Sequence, residues 1–166
     1  MSNILRVIKI LNNKFGWTFT KALMSNLKNN RVEVAGGFLR DIIAGDEPKG
    51  DLDIFYNSDI DIKNIERLAR KLNLSISYVQ FNNYDEDQVD RVEIEKTDIQ
   101  FIKIDGSISD HIRNFDFTCN CISLDCNGLK ENTVGAIENC KRKILVEHGK
   151  RENYRYDKFI AMGWKK

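Results

Sequence analysis

The chain has 166 residues, 42% of them hydrophobic and 31% charged, which fits a single domain able to bury its own core. Its formal net charge of +1 excludes a protein that coats nucleic acid by bulk charge, so any RNA partner would need a local basic patch. No apolar run reaches membrane-spanning length and the N-terminus lacks a signal-peptide layout, so a soluble, cytoplasmic chain without a membrane partner is expected.

Ile4, Leu5, Ile8 and Leu11 recur at helical spacing and predict an opening amphipathic helix. A second helix is expected from Thr20 to Leu27, with Ala22, Leu23 and Leu27 facing inward. Val32 to Ala35 reads as a short strand that Gly36-Gly37 breaks, and Phe38 to Ala44 as a helix that Gly45 ends. Asp51 to Tyr56 alternates as a second strand, and Ile65, Leu68, Ala69 and Leu72 mark the stripe of another helix. Ile76 to Phe81 predicts a third strand, and the acidic stretch Asn82 to Asp90 an exposed loop. Strands are expected over Arg91 to Glu95 and Asp98 to Ile104, a short helix over Ser107 to Asn114, and a strand over Cys121 to Asp125. From Asn132 the pattern is mostly helical, with Lys143 to Val146 a short extended piece. Without repeats, low-complexity tracts or linkers, this is one α+β domain. Residues 1–30 supply N-terminal helices, 31–143 the core and 144–166 a C-terminal helix.

Cys119, Cys121, Cys126 and Cys140 form no C-x-x-C pair, and only His111 and His148 could join them on a metal. Four reduced thiols are expected, with Cys119 and Cys121 helping to fill the core.

Asp51-Leu52-Asp53 carries the chemistry. Residues two apart on a strand leave the sheet on one face, so the two carboxylates stand close and repel unless a cation lies between them. Hard divalent ions favour such oxygens when substrate phosphates complete their coordination. A bare D-x-D is commonly plain strand surface. Gly36-Gly37, however, sits at a strand-to-helix junction, where free backbone N–H groups can face an anion and no side chain blocks its approach. Together the two features outline a phosphate cradle facing a metal site.

The stretch Gly36-Gly37-Phe38-Leu39-Arg40-Asp41, followed by Lys49-Gly50-Asp51-Leu52-Asp53-Ile54, resembles the head domain of class II CCA-adding enzymes and bacterial poly(A) polymerases. These belong to the polymerase-β-like nucleotidyltransferase superfamily. Asp116-Phe117-Thr118-Cys119-Asn120 is similar to their D-F-T-I-N motif and follows in the expected order. The resemblance implies a nucleotidyltransferase fold, a mixed central sheet flanked by helices. It implies that Gly36 and Gly37 hold a triphosphate and that Asp51 and Asp53 bind catalytic Mg²⁺ (or Mn²⁺). Arg40 and Asp41 would brace the site or touch phosphates, and Asp116 and Asn120 would contact the incoming nucleotide. The family also uses a third carboxylate on a strand beside the D-x-D strand. Asp98 is the best candidate for it, as both metal ligand and catalytic group, with Glu95 and Asp105 as rivals.

Two departures stand out. The family's adjacent arginines before D-F-T-I-N are replaced by Asn114-Phe115, leaving Arg113 as the nearest arginine for the triphosphate. The chain also ends soon after the head domain, where family members continue into helices that grip tRNA. Glu152, Arg155 and Lys158 do not reproduce the family's E-D-x-x-R spacing there, although Arg151, Arg155 and Lys158 could form a basic face. The implied activity is metal-dependent transfer of a nucleoside monophosphate from ATP or CTP to an acceptor hydroxyl, an RNA or tRNA 3′ end in the first instance, with release of pyrophosphate. A partner protein or an oligomer could supply the missing RNA grip. The compact layout suits a virus or phage genome. Two other readings compete: a nucleotide- or RNA-binding module that has lost turnover, and a transferase that modifies a protein with AMP.

Overall fold

Alternation along the strands gives the central sheet two different faces, and this positions everything else. The computed structural model describes residues 3–28, 32–57, 67, 69–70, 73–80, 90–149 and 153–166. In chain order the elements are α1 (Asn3–Phe15), α2 (Trp17–Lys28), β1 (Val32–Ala35), α3 (Gly37–Ala44), β2 (Leu52–Tyr56), β3 (Ile76–Gln80) and β4 (Asp90–Ile94). They continue with β5 (Ile99–Lys103), α4 (Ile108–Arg113), a 3-10 turn (Thr118–Asn120), β6 (Ile122–Asp125), β7 (Gly128–Glu131), α5 (Ala136–Arg142) and α6 (Asn153–Ala161). The seven strands form one sheet in the order β3-β4-β5-β2-β1-β6-β7. Every neighbouring pair is antiparallel except β2 and β5, which run parallel.

One face of the sheet carries Val34, Leu52, Ile54, Phe101 and Leu124, which pack in a single core with α1, α2 and α3. Phe38 on α3 and Phe19 on α2 both stand within 6.0 Å of the Phe15 ring that links them. Full burial of one such ring contributes roughly 1.5–3 kcal/mol. The opposite face carries Ala35 and Phe55, covered by Ile108 and Ile112 of α4. A third core lies beside the sheet, where Phe117, Cys119, Cys140, Phe159 and Trp164 meet.

Among the described residues, the expected elements are recovered with shifted ends. In α1 the inward positions are Val7 and Leu11, while Leu5 is 56% exposed, because Leu5 lies off the stripe that Val7 and Leu11 share at i, i+4. In α2 Phe19 and Thr20 are buried and Ala22 is only partly so. Strand β7 has no counterpart among the expected elements; it closes a hairpin with β6, in which Asp125 pairs with Gly128. The extended piece near Lys143 is real: Ile144 bridges Lys165, and Glu147 bridges Phe117. Most of the helix expected around Leu68 and of the loop from Asn82 lies outside the described residues, as do Arg151 and Glu152; Ala69 is helical and buried.

Candidate nucleotide and metal site

Strand β1 ends at Ala35 and α3 begins at Gly37, so Gly36 alone must turn the chain from strand to helix. It does so at φ +83° and ψ −156°, a backbone region essentially reserved for glycine. A Cβ on Gly36 would stand 2.9 Å from Asp53 Oδ2. The glycine is therefore required twice, by its dihedrals and by the carboxylate beside it. Gly37 opens α3, whose first N–H groups have no partner within the helix and carry the positive end of its dipole. Gly45, in the left-handed region, ends the helix by donating its N–H back to Ile42.

Asp53 lies between Ala35 of β1 and Gln100 of β5 in the sheet register. It is half-buried and shares the α4 face with Phe55, opposite the face of Leu52 and Ile54. Asp51 precedes β2 and is exposed, and the side-chain amide of Gln100 donates to its Oδ2 at 2.7 Å. Gln100 thus touches one carboxylate of the pair and is the register partner of the other. Asp98 stands elsewhere. Its main-chain carbonyl accepts from Leu52 N, but its carboxylate pairs at 2.9 Å with Lys14 of α1, which packs on the other face of the sheet. Glu95 is exposed on the turn after β4, and Asp105 is exposed beyond β5.

Magnesium or manganese would meet hard oxygens here. Asp53 on β2 and Asp51 just before it, with no side chain on Gly36 to displace the Asp53 carboxylate, fit one such ion whose remaining positions go to phosphate and water. Among the described residues, no cluster of three or more His, Cys, Asp and Glu side chains is placed to hold a metal.

The remaining expected residues form a chain of contacts rather than a phosphate clamp. Arg40 is buried, its Nε and Nη2 donating to Asp41 Oδ1 at 2.9 and 2.6 Å and its Nη1 to Asn120 Oδ1 at 3.1 Å. Asn120 Nδ2 then donates to Asp116 Oδ1 at 2.8 Å, and Arg155 of α6 pairs with Asp116 Oδ2 at 2.7 Å. The Arg40 guanidinium also lies 4.6 Å from the Phe159 ring and 5.8 Å from that of Trp164. The Gly-Gly helix and the Asp116-to-Asn120 motif are locked together, and the C-terminal helix closes over the joint. Arg113 is turned away from this chain of contacts; it is exposed and bonded to Asp110 and to the carbonyl of Asn132.

None of the four cysteines forms a disulfide. Burial pushes the Cys119 and Cys121 thiols up, and Cys140 up to about 12, so each keeps its proton and packs as a small apolar group.

The family model of the Gabija anti-defense 2 family matches residues 9–138, and the chain belongs to that family. No curated protein matches it in sequence. Solved structures do resemble it. The Thermotoga maritima CCA-adding enzyme in complex with tRNA aligns at 19% identity and a TM-score of 0.57, over 85% of this chain and 35% of that one. A CCA-adding enzyme with ATP aligns at 19% and 0.56, over 82% and 34%. A tRNA nucleotidyltransferase with a primer tRNA and an incoming ATP analogue aligns at 18% and 0.58, over 86% and 46%. The chain therefore spans about a third to a half of these neighbours. At such identities the likeness establishes the fold alone: an α+β chain folded like part of these nucleotidyltransferases. The resemblance carried by the motifs holds at that level, and the motifs give no sign of the Gabija anti-defense 2 family itself.

Proposed function

We propose that this Gabija anti-defense 2 family member binds a nucleoside triphosphate with a divalent cation and transfers its nucleoside monophosphate to an acceptor hydroxyl. The observation that carries the reading is the fit of Gly36 against Asp53. A strained glycine placed against a half-buried carboxylate, at the start of a helix, is what a triphosphate–metal complex needs and a plain turn does not.

In this reading Asp51 and Asp53 hold Mg²⁺ or Mn²⁺, which when bound neutralises phosphate charge and acidifies the attacking hydroxyl. The N–H groups of Gly37 and its neighbours take the phosphates. The acceptor oxygen forms a new bond to the α-phosphorus as the bond to the β-phosphate oxygen breaks. Pyrophosphate leaves, and the hydroxyl proton passes to solvent at exposed Asp51. Asp116 and Asn120, held by Arg40 and Arg155, form the nucleotide-contacting side of the site. Neighbours in complex with tRNA, ATP and CTP support an RNA 3′ end as acceptor and ATP or CTP as donor. The family's description supports action against a Gabija defence as the setting for this activity.

The test is incubation with each labelled nucleoside triphosphate, Mg²⁺ or Mn²⁺ and a pool of small RNAs, with Asp53→Ala alongside. Label on RNA that disappears in the variant supports the transferase. Label on a protein instead would identify an AMP-transferase. A second reading, a module that binds nucleotide without turnover, is favoured by one feature, the neutral amide of Gln100 in the metal pair. Metal-dependent binding without label or pyrophosphate would establish it.

A further inference from the structure

Gln100 is the side chain closest in register to the carboxylate pair, and its chemistry differs from theirs. Its Cα is the parallel-strand partner of Asp53, so both side chains rise from the same face of adjacent strands. Its amide nitrogen reaches back along the strand to Asp51 Oδ2 at 2.7 Å. A carboxylate acceptor requires the NH₂ end of the amide there, since an ionised carboxylate offers no donor. Gln100 therefore stabilises Asp51 through a hydrogen bond, partly serving the role that a cation would otherwise take.

We infer that Gln100 limits this site to one divalent ion per bound nucleotide, where a carboxylate at the same position would admit a second. The inference rests on reading Asp51 and Asp53 as the cation and nucleotide site. Two divalent ions bridged about 3.5–4 Å apart repel strongly and persist only where anionic ligands outnumber what one ion needs. Asp51 and Asp53 are the two carboxylates the protein supplies here, enough for one ion whose other positions go to phosphate and water; a second ion would have to draw its anionic ligands from the triphosphate alone. Gln100 adds none. Asp98 is one position short of β5 and neutralised by Lys14, so it does not make up the difference. No cluster of three metal-holding side chains exists among the described residues. Gln100 is accordingly a positioning residue for Asp51 and the determinant of ion count.

The experiment counts ions directly and does not depend on turnover. The full chain is dialysed to equilibrium against Mn²⁺ and α,β-methylene ATP or α,β-methylene CTP, which cannot be transferred. Protein-bound Mn²⁺ and nucleotide are then measured relative to Asp53→Ala. The wild-type chain should hold one Mn²⁺ per nucleotide, Gln100→Ala also one, and Gln100→Glu two. Two ions in the wild type, or no second ion in a folded Gln100→Glu that binds nucleotide, overturns the inference. Should Gln100→Glu fail to fold, Gln100→Asp is measured in its place, and a single ion per nucleotide there overturns the inference. If neither analogue is retained with Mn²⁺ by the wild type, the nucleotide-site reading itself fails and this inference with it; a ratio of two defeats the inference alone.

Discussion

Gly36 and Asp53 adjoin at the end of the β1–β2 ladder, so near that a single added carbon on the glycine would sit 2.9 Å from Asp53 Oδ2. Gly36→Ala therefore carries two costs. The backbone region at φ +83° and ψ −156° disfavours any Cβ by about 1–3 kcal/mol, and the new methyl group displaces a carboxylate needed at the site. We expect a fall in Tm of about 2–4 °C per kcal/mol for a chain of this length, with loss of metal-dependent nucleotide binding of at least about tenfold. Gly45→Ala is the control. It too places a residue at positive φ, but at the far end of α3, with only Arg6 nearby. Thermal melts should show both variants destabilised, whereas binding titrations should show only Gly36→Ala impaired. Equal binding losses would mean that Gly36 acts through fold stability alone.

Much of this part of the molecule is legible in the amino-acid sequence alone. Val32 to Gly45 declares a strand, a glycine break, a helix and a glycine cap, because each of those signals is local and follows from the conformational limits of single residues. Asp51 and Asp53 are visible for the same reason, a two-residue spacing on a strand. The occupant of the neighbouring strand is not. Finding Gln100 requires knowing that β5 pairs with β2, in parallel, with Asp53 opposite residue 100 and not 98. That register is set by packing of the apolar faces of two strands far apart in the chain, for which one sequence gives no rule. A search for a third carboxylate also looks past an amide. Strand β7 escapes for a different cause: four residues containing one glycine and two charges are too short to show a period.

Replacing Gln100 by Glu should expose the cost of a third negative charge beside Asp51 and Asp53. With chelator present, the variant loses the hydrogen bond to Asp51 and gains like-charge repulsion, so its Tm should fall below the wild-type value. Added Mn²⁺ binds only the folded state and should restore it, by about 2.7 kcal/mol at roughly a hundred times the dissociation constant. The measurement is the Tm of both proteins across a Mn²⁺ titration. A larger metal-induced rise in Gln100→Glu than in the wild type is expected. Parallel curves would show that residue 100 does not face the ion.

Arg40 illustrates a residue whose type is informative in the sequence and whose role is not. Its position there suits a phosphate contact equally well, but its guanidinium is buried against Phe159 and Trp164 and committed to Asp41 and Asn120. Arg40→Ala leaves Asp41, 2% exposed, without its partner. Removing one member of a buried pair costs about 3–5 kcal/mol, so the variant should be strongly destabilised in urea whether or not nucleotide is present. Arg40→Lys should recover only part of the loss, because an ammonium cannot reproduce the planar stack or bond Asp41 and Asn120 together. If Arg40 instead served the triphosphate, Arg40→Ala would keep its urea midpoint and lose affinity for nucleotide.

The same joint controls the thiols. Cys140 donates to the Arg40 carbonyl at 3.1 Å and is fully buried, and burial raises its pKa to about 12. Thiolate is the reactive form, so at pH 8 only about one Cys140 in 10⁴ would be ionised even if reagent could reach it. Burial raises Cys119 and Cys121 in the same direction, and Cys126 alone is partly exposed. Treatment of the native chain with a maleimide at pH 8, followed by mass measurement, should add one label rapidly, at Cys126, and all four only after denaturation. In Arg40→Ala, where the joint is opened, labels on Cys140 and Cys119 should appear under native conditions at the rate of local unfolding. An unchanged single label in that variant would show that the Phe159–Trp164 cover holds without the guanidinium.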